Sequence, residues 1–524
     1  MNKLKSSTSS ILILILAFAL AKLLVHLFTF DNYGLHRDAY LYYALGEHLQ
    51  WGFVAVPPSI ALFSNVFTGL FGNTVFALRV VPAIIGALSV ILVGLMVKEM
   101  GGKKIAISLA SLAYLLGPAY LHGNTLFQPV SFNHFYWILS AYLILLMVRR
   151  KNTKMWLWIG LVFGLAFLNK YSIVFFYAAF SIALLISKHW RLYLSKYFLA
   201  GAGVGLLIIL PNIIWQYNHN WPVMHHMEEL RNSQLVHVST SGFLFDQLLM
   251  NAHAFFIWFP AWMILLFYRK GKEYRIFCLI FTLIILLLLF GSGKSYYTLG
   301  IYPVMFAFGG CFIEKYTNRK YLCAVASLLV IIMTGSLIYS MRLDGIPFMK
   351  PEQIDREESF HWEDGRNYSI PQDMADMMGW EEIAKEVIKI YKGLTSEEKE
   401  NVAIYAEHYG QAGALMFYGK EHHLPEPICF NGSFALWAPD SLSVDLMIAV
   451  FYYSFRDSDM DSTLKQWFQE YSVAAVVDEE YFRESGTKIV LGKHPTERIQ
   501  LDYQEKINKT DERYGLHRDT RKKD

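Results

Sequence analysis

The chain has 524 residues, 54% apolar and 16% aromatic but only 17% charged, with a mean hydropathy of +0.29. A soluble domain carries about 25% charged residues and a disordered chain is poor in aromatics, so both classes are excluded. Residues 1–341 carry a net charge of +16 and residues 342–524 one of −13, which marks a boundary near Arg342. The basic excess lies in short loops between apolar runs rather than on one soluble face, and this argues against a nucleic-acid partner.

The first apolar run, Ile11 to Phe30, follows Lys3 and Lys5 and lacks a small-residue cleavage site. It reads as a retained first helix rather than a removed signal peptide. Ten more runs follow, at 74–97, 105–121, 132–148, 155–168, 171–187, 197–216, 243–267, 276–290, 299–313 and 321–340. Together they predict a polytopic α-helical membrane protein of about 11 spans. Alternate loops are basic: Lys98/Lys103/Lys104, Arg149/Arg150/Lys151/Lys154, Lys188/Arg191/Lys196, Arg269/Lys270/Lys272/Arg275 and Lys315/Arg319/Lys320. Basic loops stay in the cytoplasm, so residues 31–73, 122–131, 217–242, 291–298 and 342–524 are expected outside. Residues 155–187 must then cross twice, turning at Asn169-Lys170. Each half is too short for a core of about 30 Å, so either the membrane is thinned there or the turn is buried in protein.

Beyond the boundary, helical and strand patterns alternate. Asp373–Tyr391, Gln411–Tyr418 and Asp461–Tyr471 read as helices; Val402–Ala406, Leu446–Tyr453 and Val473–Val477 read as strands. The expected organisation is a transmembrane domain at 1–341, a periplasmic α/β domain at 342–505 and a charged, disordered tail at 506–524. Of four cysteines, Cys278, Cys311 and Cys323 lie in or beside apolar runs and Cys429 is alone in the soluble part. No disulfide is possible within that part.

The first outer loop concentrates chemistry: His36-Arg37-Asp38, then Tyr40, Tyr42, Tyr43 and His48. Asp38 is one of only nine acidic residues in the first 341. Its carboxylate could take a proton from an attacking hydroxyl, or hold a divalent ion against a phosphate. The plainer reading is an ion pair with Arg37 or His36. Lys170 and Lys294 stand in tight outer turns, Lys294 next to Tyr296 and Tyr297. They suit a phosphate partner, or snorkelling toward headgroups. Gln128 and Asn133 are candidate sugar contacts, or a helix cap. His225 and Glu229 could share a helix face as metal ligands, against the ordinary reading of a polar loop. No Gly-rich nucleotide loop or nucleophile elbow occurs. An activated donor outside the membrane would have to be a lipid. The hexapeptide Tyr-Gly-Leu-His-Arg-Asp occurs twice, at Tyr33–Asp38 and Tyr514–Asp519; one reading is a tail that mimics the first loop.

Arg37-Asp38-Ala39-Tyr40 with Tyr42-Tyr43, Gly46, His48-Leu49, Trp51-Gly52-Phe53 and Pro57-Pro58 resembles the first periplasmic loop of bacterial membrane glycosyltransferases of family 39. These are relatives of dolichyl-phosphate-mannose–protein mannosyltransferases and of lipid A aminoarabinose transferases. The likeness continues at Gly164–Tyr171, Pro211-Asn212, Trp215-Gln216, Trp221-Pro222, Lys294–Tyr297 and Tyr302-Pro303, and in the soluble part at Tyr409–Leu415 with Tyr418-Gly419. The resemblance implies a C-type glycosyltransferase fold, a polyprenyl-phosphate-linked sugar donor and transfer with inversion at the periplasmic face of a bacterial inner membrane. The acceptor would be lipid A, an envelope glycan or a protein.

It matches Asp38 to the catalytic aspartate, as general base or metal contact, and Lys170 and Lys294 to basic positions near the carrier phosphate; Arg37 joins them as a donor-phosphate candidate from its place beside Asp38. His36, Tyr42, Tyr43, Tyr296, Tyr297, Gln128 and Asn133 become substrate contacts. Two departures matter. Ala39 stands where many members have Glu, and Phe127–Asn133 lacks the acidic residue many carry in the second outer loop. They leave a divalent metal ion as a possible cofactor with its ligands unassigned. The rival reading, a transporter or lipid-linked sugar flippase, predicts internal repeats and mid-membrane charges. The apolar runs show no repeat.

Overall fold

The computed structural model describes residues 2–516, apart from 234, 238, 342–348, 358, 443 and 453–456. The boundary residue Arg342 and His517–Asp519 of the second hexapeptide copy lie outside the described residues. The chain forms two compact units. The first comprises Met1–Phe30, Arg79–Pro211 and Glu228–Met349; the second comprises Asp31–Leu78, Asn212–Met227 and Lys350–Asp524. The first outer loop thus groups with the soluble part and not with the apolar helices around it in sequence.

Among the described residues, seven helices are long and apolar enough to cross a membrane: Ser9–Leu27, Val75–Glu99, Pro129–Arg150, Lys196–Asn218, Lys272–Phe290, Ser295–Tyr316 and Arg319–Met341. An eighth candidate, Thr240–Leu249 with Ala252–Phe267, is bent by 55° at its break. Lys104–Leu115, Met155–Phe167, Ile173–Ile186 and Ser59–Phe71 are apolar but shorter. The 11 expected runs therefore resolve into fewer full-length helices, in a multi-pass membrane protein. Local chemistry explains some of the shortening. Pro118 cannot continue the helix that ends at Leu115, and it opens a new one, Pro118–Gly123.

Inside the first unit, small residues allow close approach. A Cβ at Gly160 would lie 1.9 Å from the Gly201 carbonyl oxygen, and one at Gly201 would lie 2.1 Å from that of Trp156. Helices Met155–Phe167 and Lys196–Asn218 thus touch backbone to backbone, as membrane helices do where glycines line the contact. Tyr114, Trp137, Phe176 and Phe306 are fully buried in the core.

The second unit holds a four-stranded sheet in the order Val402–Ala406, Leu446–Phe451, Thr487–Pro495, Phe468–Val477. The first pair is parallel and the others antiparallel. Leu446–Phe451 is buried at every position, as a central strand covered on both faces should be. Four expectations change here. The helix expected over Asp373–Tyr391 is cut into Gln372–Ala375 and Trp380–Gly393. Gly379 makes the break, with φ +79° and Phe482 seated 2.2 Å from where a Cβ would be; only glycine meets both demands. The helix expected over Asp461–Tyr471 ends at Trp467, and the strand begins at Phe468. The strand Thr487–Pro495 was not anticipated. Finally, residues 506–514, expected in the disordered tail, belong to helix Glu497–Tyr514. Its buried Tyr503, Ile507, Thr510 and Tyr514 recur at helical spacing. That sparse stripe is hidden in sequence by the charges between its members.

Candidate active site

In the second unit, helix Arg37–Glu47 starts at its N-cap His36, whose Nδ1 lies 3.1 Å from the Asp38 backbone nitrogen. The helix packs on Tyr409–Gly419, and Gly413 permits it: a Cβ there would lie 2.5 Å from the Tyr40 carbonyl oxygen. The aromatics of the first loop serve this contact. Tyr40 and Tyr418 join their hydroxyls at 3.0 Å. Tyr43 is buried edge-on against Phe417 and accepts from Asn73 Nδ2 at 2.7 Å. Tyr42 is also buried. Sequence had offered Tyr42 and Tyr43 to the substrate; the fold uses Tyr43 to seat the helix.

Asp38 faces the same partner helix. The Tyr409 hydroxyl donates to its Oδ1 at 2.8 Å. Burial and the adjacent Asp38 push the Tyr409 phenol well above its ordinary range, so it stays a donor. Arg37 lies over the Tyr409 ring at 5.7 Å and approaches Asp38 at 4.0 Å, Asp376 at 3.8 Å and Glu363 at 3.4 Å. Arg483 reaches Asp376 at 3.1 Å and Glu363 at 2.8 Å. His36 Nε2 lies 3.7 Å from Asp373 and 3.6 Å from Asp376. Burial disfavours the His36 and Arg37 charges, but the surrounding acidic groups outweigh it. His36 is raised to about 9, and the Arg37 guanidinium is held charged. Burial pushes the Asp376 carboxyl up against the pull of Arg37, His36 and Arg483. Asp38, at 27% exposure against 1% for Asp376, is tethered by a neutral hydroxyl, whereas the more exposed Glu363 is held by the Arg37 and Arg483 guanidiniums.

Among the described residues, the group of three metal-capable side chains is His36, Asp373 and Asp376, and not the His225/Glu229 pair on helix Pro222–Ser233. This set fits a divalent ion poorly. Asp376 already takes both Nη1 contacts of Arg483, at 3.1 and 3.3 Å, and a metal would have to displace that guanidinium.

The first unit gathers the other candidates. The turn at Asn169-Lys170 is buried in protein: Asn169 is fully buried and its Nδ2 donates to the Pro129 carbonyl at 3.0 Å. Its flanking helices have 13 and 14 residues, about 20 Å each. Lys170 Nζ lies over the Tyr297 ring at 4.8 Å and the Tyr296 ring at 5.5 Å, a cation–π seat. Lys294 stands at the N-cap of the 3₁₀ segment Ser295–Ile301 that carries both rings. Lys170, Tyr296 and Tyr297, far apart in sequence, are thus one cluster, with Lys294 beside it in the chain. Asn133 is buried and accepts from Trp137 Nε1 at 3.1 Å within its own helix. Gln128 occupies the N-cap position of that helix without a side-chain capping bond.

Sequence reasoning had not selected Tyr409, Glu363, Asp373, Asp376 or Arg483. Asp373 and Asp376, three apart before a glycine in a Met-rich stretch, were the one available signal; their partners His36 and Arg37 lie at the far end of the chain, and Arg483 is 107 residues from Asp376.

Three comparisons bear on these clusters. A family model described as dolichyl-phosphate-mannose-protein mannosyltransferase matches residues 55–215. The lipid A galacturonosyltransferase RgtD of Rhizobium johnstonii is 25% identical over 225 residues, 43% of this chain and 47% of that protein. The chain thus aligns with about half the length of this curated relative. Crystal structures of ArnT from Cupriavidus metallidurans superpose with TM-scores of 0.61, bound to undecaprenyl phosphate, and 0.58, in the apo state. Identity is 14% and 15%; 91% and 93% of this chain and 97% and 98% of those chains are covered. At such identities the likeness is one of fold.

Proposed function

We propose that this chain is a C-type membrane glycosyltransferase, a reading supported by the matching family model and the shared fold, and that it moves a sugar from a polyprenyl-phosphate carrier to an acceptor hydroxyl with inversion. The acceptor we favour is lipid A. RgtD is named for transfer to that lipid and the ArnT crystal holds undecaprenyl phosphate, and both ideas are carried over from those proteins. The basic loops support a cytoplasmic placement by the positive-inside rule, and on that reading the first outer loop and the soluble part are periplasmic at a bacterial inner membrane.

Asp38 carries the reading: a partly exposed carboxylate, tethered by the Tyr409 hydroxyl and next to a permanently charged guanidinium. In the reaction its carboxylate takes the proton of the acceptor hydroxyl as that oxygen attacks the anomeric carbon. The bond from that carbon to the carrier's phosphate oxygen breaks, and polyprenyl phosphate leaves with the electron pair. A phosphate is a stable anion at neutral pH, so its departure needs cations rather than a general acid. Arg37, beside Asp38, is a candidate for that task, and Lys170 and Lys294 of the first unit are a separate candidate seat for a phosphate. Tyr296 and Tyr297 hold Lys170 and offer ring faces to a sugar. His36 stands at the N-cap of the helix that presents Asp38. Tyr42, Gln128 and Asn133 are kept as second-rank substrate contacts. No divalent ion is assigned: in the three-donor set found among the described residues, Asp376 is already held by Arg483.

The test is Asp38→Asn, assayed for sugar transfer from a polyprenyl-phosphate donor to lipid A. The expected loss in kcat is about 1,000-fold, with donor binding retained. Transfer at the wild-type rate rejects the assignment. Mass spectrometry of envelope lipids from a deletion strain identifies the sugar and acceptor.

A further inference from the structure

Lys22 lies inside the apolar span Ser9–Leu27 and has no solvent exposure. A lysine within a membrane segment is costly, and retention of one is by default a functional signal. Among the described residues no carboxylate pairs with it. Its Nζ donates to the Tyr120 carbonyl at 3.0 Å and lies over the Tyr114 ring at 5.4 Å. Room is made for it. A Cβ at Gly86 would come within 3.1 Å of Lys22 Cε and 2.8 Å of the Asn124 side chain.

Tyr120 is the hub that receives this bond. It is fully buried in the short helix Pro118–Gly123, its ring stacked on Tyr114 at 4.6 Å. Its hydroxyl lies 3.1 Å from both Asn251 Oδ1 and the Leu299 carbonyl oxygen. Leu299 belongs to Ser295–Ile301, the segment whose Tyr296 and Tyr297 rings seat Lys170 and whose N-cap is Lys294. The same segment is anchored by Ser295 to Asp246 at 2.7 Å and by Thr298 to Gln247 at 2.5 Å. One residue thus links the first membrane helix to the turn that bears the cationic cluster.

We infer that Lys22 is a positioning residue for the Lys294–Tyr297 turn, acting through Tyr120, so that this turn meets the carrier phosphate in one fixed conformation. The inference rests on the reading of that turn as a phosphate seat. Lys22 supplies what an apolar side chain cannot, a donor that fixes the Tyr120 carbonyl where water is absent. Tyr120 passes the constraint on through its hydroxyl. A brace that merely held the helices together would not select the donor-binding step.

The test uses the full-length protein in nanodiscs, with a fluorescent polyprenyl phosphate as the probe and sugar transfer as a second readout. Lys22→Met and Tyr120→Phe are each expected to weaken probe binding about tenfold, the effect of one lost hydrogen bond. KM for the donor should rise by a similar factor and kcat should change less than threefold. Lys22→Gln, which keeps a donor, should recover most of the affinity. Because the bonds act in series, the double variant should bind little worse than the weaker single one. Folded Lys22→Met and Tyr120→Phe proteins with wild-type affinity overturn the inference. So does failure of both to fold, which would mark the network as a structural brace. If Lys22→Met alone fails to fold, Tyr120→Phe decides. Wild-type protein that binds no probe instead defeats the phosphate-seat reading itself, a result distinct from unaltered variants.

Discussion

In the second unit, Arg37 and Arg483 sit among Asp38, Glu363, Asp373 and Asp376, with His36 completing the set. In the first unit, Lys22 is satisfied by a backbone carbonyl and a ring, and Lys170 is seated on two tyrosine faces. The contrast follows from composition. Acidic residues are plentiful after residue 341 and number nine before it; Arg149 and Arg150 at a helix end still find Glu99, but Lys22 leans on a carbonyl dipole and a π face. The two solutions differ in consequence. Mutual neutralisation fixes geometry and leaves one tethered carboxylate for proton transfer. A ring face or a carbonyl does not cancel a full charge, so these contacts leave a cation's positive field available to an incoming anion.

That division makes a kinetic forecast, with the second unit acting on kcat and the first on donor affinity. Tyr409→Phe should have the largest effect after Asp38→Asn. It removes a hydrogen bond to a carboxylate worth roughly 1.5–3 kcal/mol, so kcat should fall about 10- to 100-fold while donor KM stays level. Lys170→Met should do the reverse, raising donor KM about tenfold with a smaller change in kcat. Steady-state transfer kinetics at varied donor concentration separate the two. Equal effects of both variants on kcat and KM would erase the proposed division.

A smaller effect is expected on stability. The folded state raises the His36 pKa from 6.5 to about 9, so the imidazolium's contribution is complete below pH 6.5. It fades as pH rises through 9, where the folded ring also loses its proton. The contribution at stake is at most about 3 kcal/mol. Thermal unfolding in detergent should show Tm falling across that window, and His36→Gln should flatten the slope. A wild-type profile without a slope would mean that Asp38, Asp373 and Asp376 do not hold the charge on the ring.

How far sequence reached depends on the kind of interaction. Asp38 and its loop were legible because a carboxylate is rare in an apolar context. The turn at Lys170 was legible because two short halves could not otherwise span. Lys22 was not, since a single cation inside a 20-residue apolar run leaves hydropathy intact, and its partner is a backbone carbonyl that no side-chain pattern reveals. Tyr409 was visible only as part of a motif; its bond to Asp38 spans 371 residues. In the soluble part, strands with continuous apolar runs such as Leu446–Phe451 could be read. Thr487–Pro495 could not, because Lys488, Lys493 and His494 interrupt its buried positions. The helix ending at Tyr514 failed for the same reason, with charges between its buried residues. The second hexapeptide copy gains a partial physical account. Tyr514 is buried beside Val54 and Ala435, and Asn220 donates to the Arg513 carbonyl at 3.0 Å, so the copy begins as a docked helix end.

The smallest expected effect is that of metal removal. A divalent ion at His36, Asp373 and Asp376 would need a neutral imidazole and a carboxylate released from its guanidinium. Here the carboxylates draw a proton onto His36, and Arg483 holds Asp376 through paired contacts. Dialysis against EDTA should therefore change the transfer rate less than twofold. Suppose instead that the rate collapses and manganese or magnesium restores it. Arg483 must then swing off Asp376 during turnover, and Arg483→Met should tighten the metal requirement into a higher affinity. That outcome would turn the ionic cluster of the second unit from a fixed scaffold into a competed site, and would shift the comparison between the units from charge cancelled against charge kept to charge exchanged.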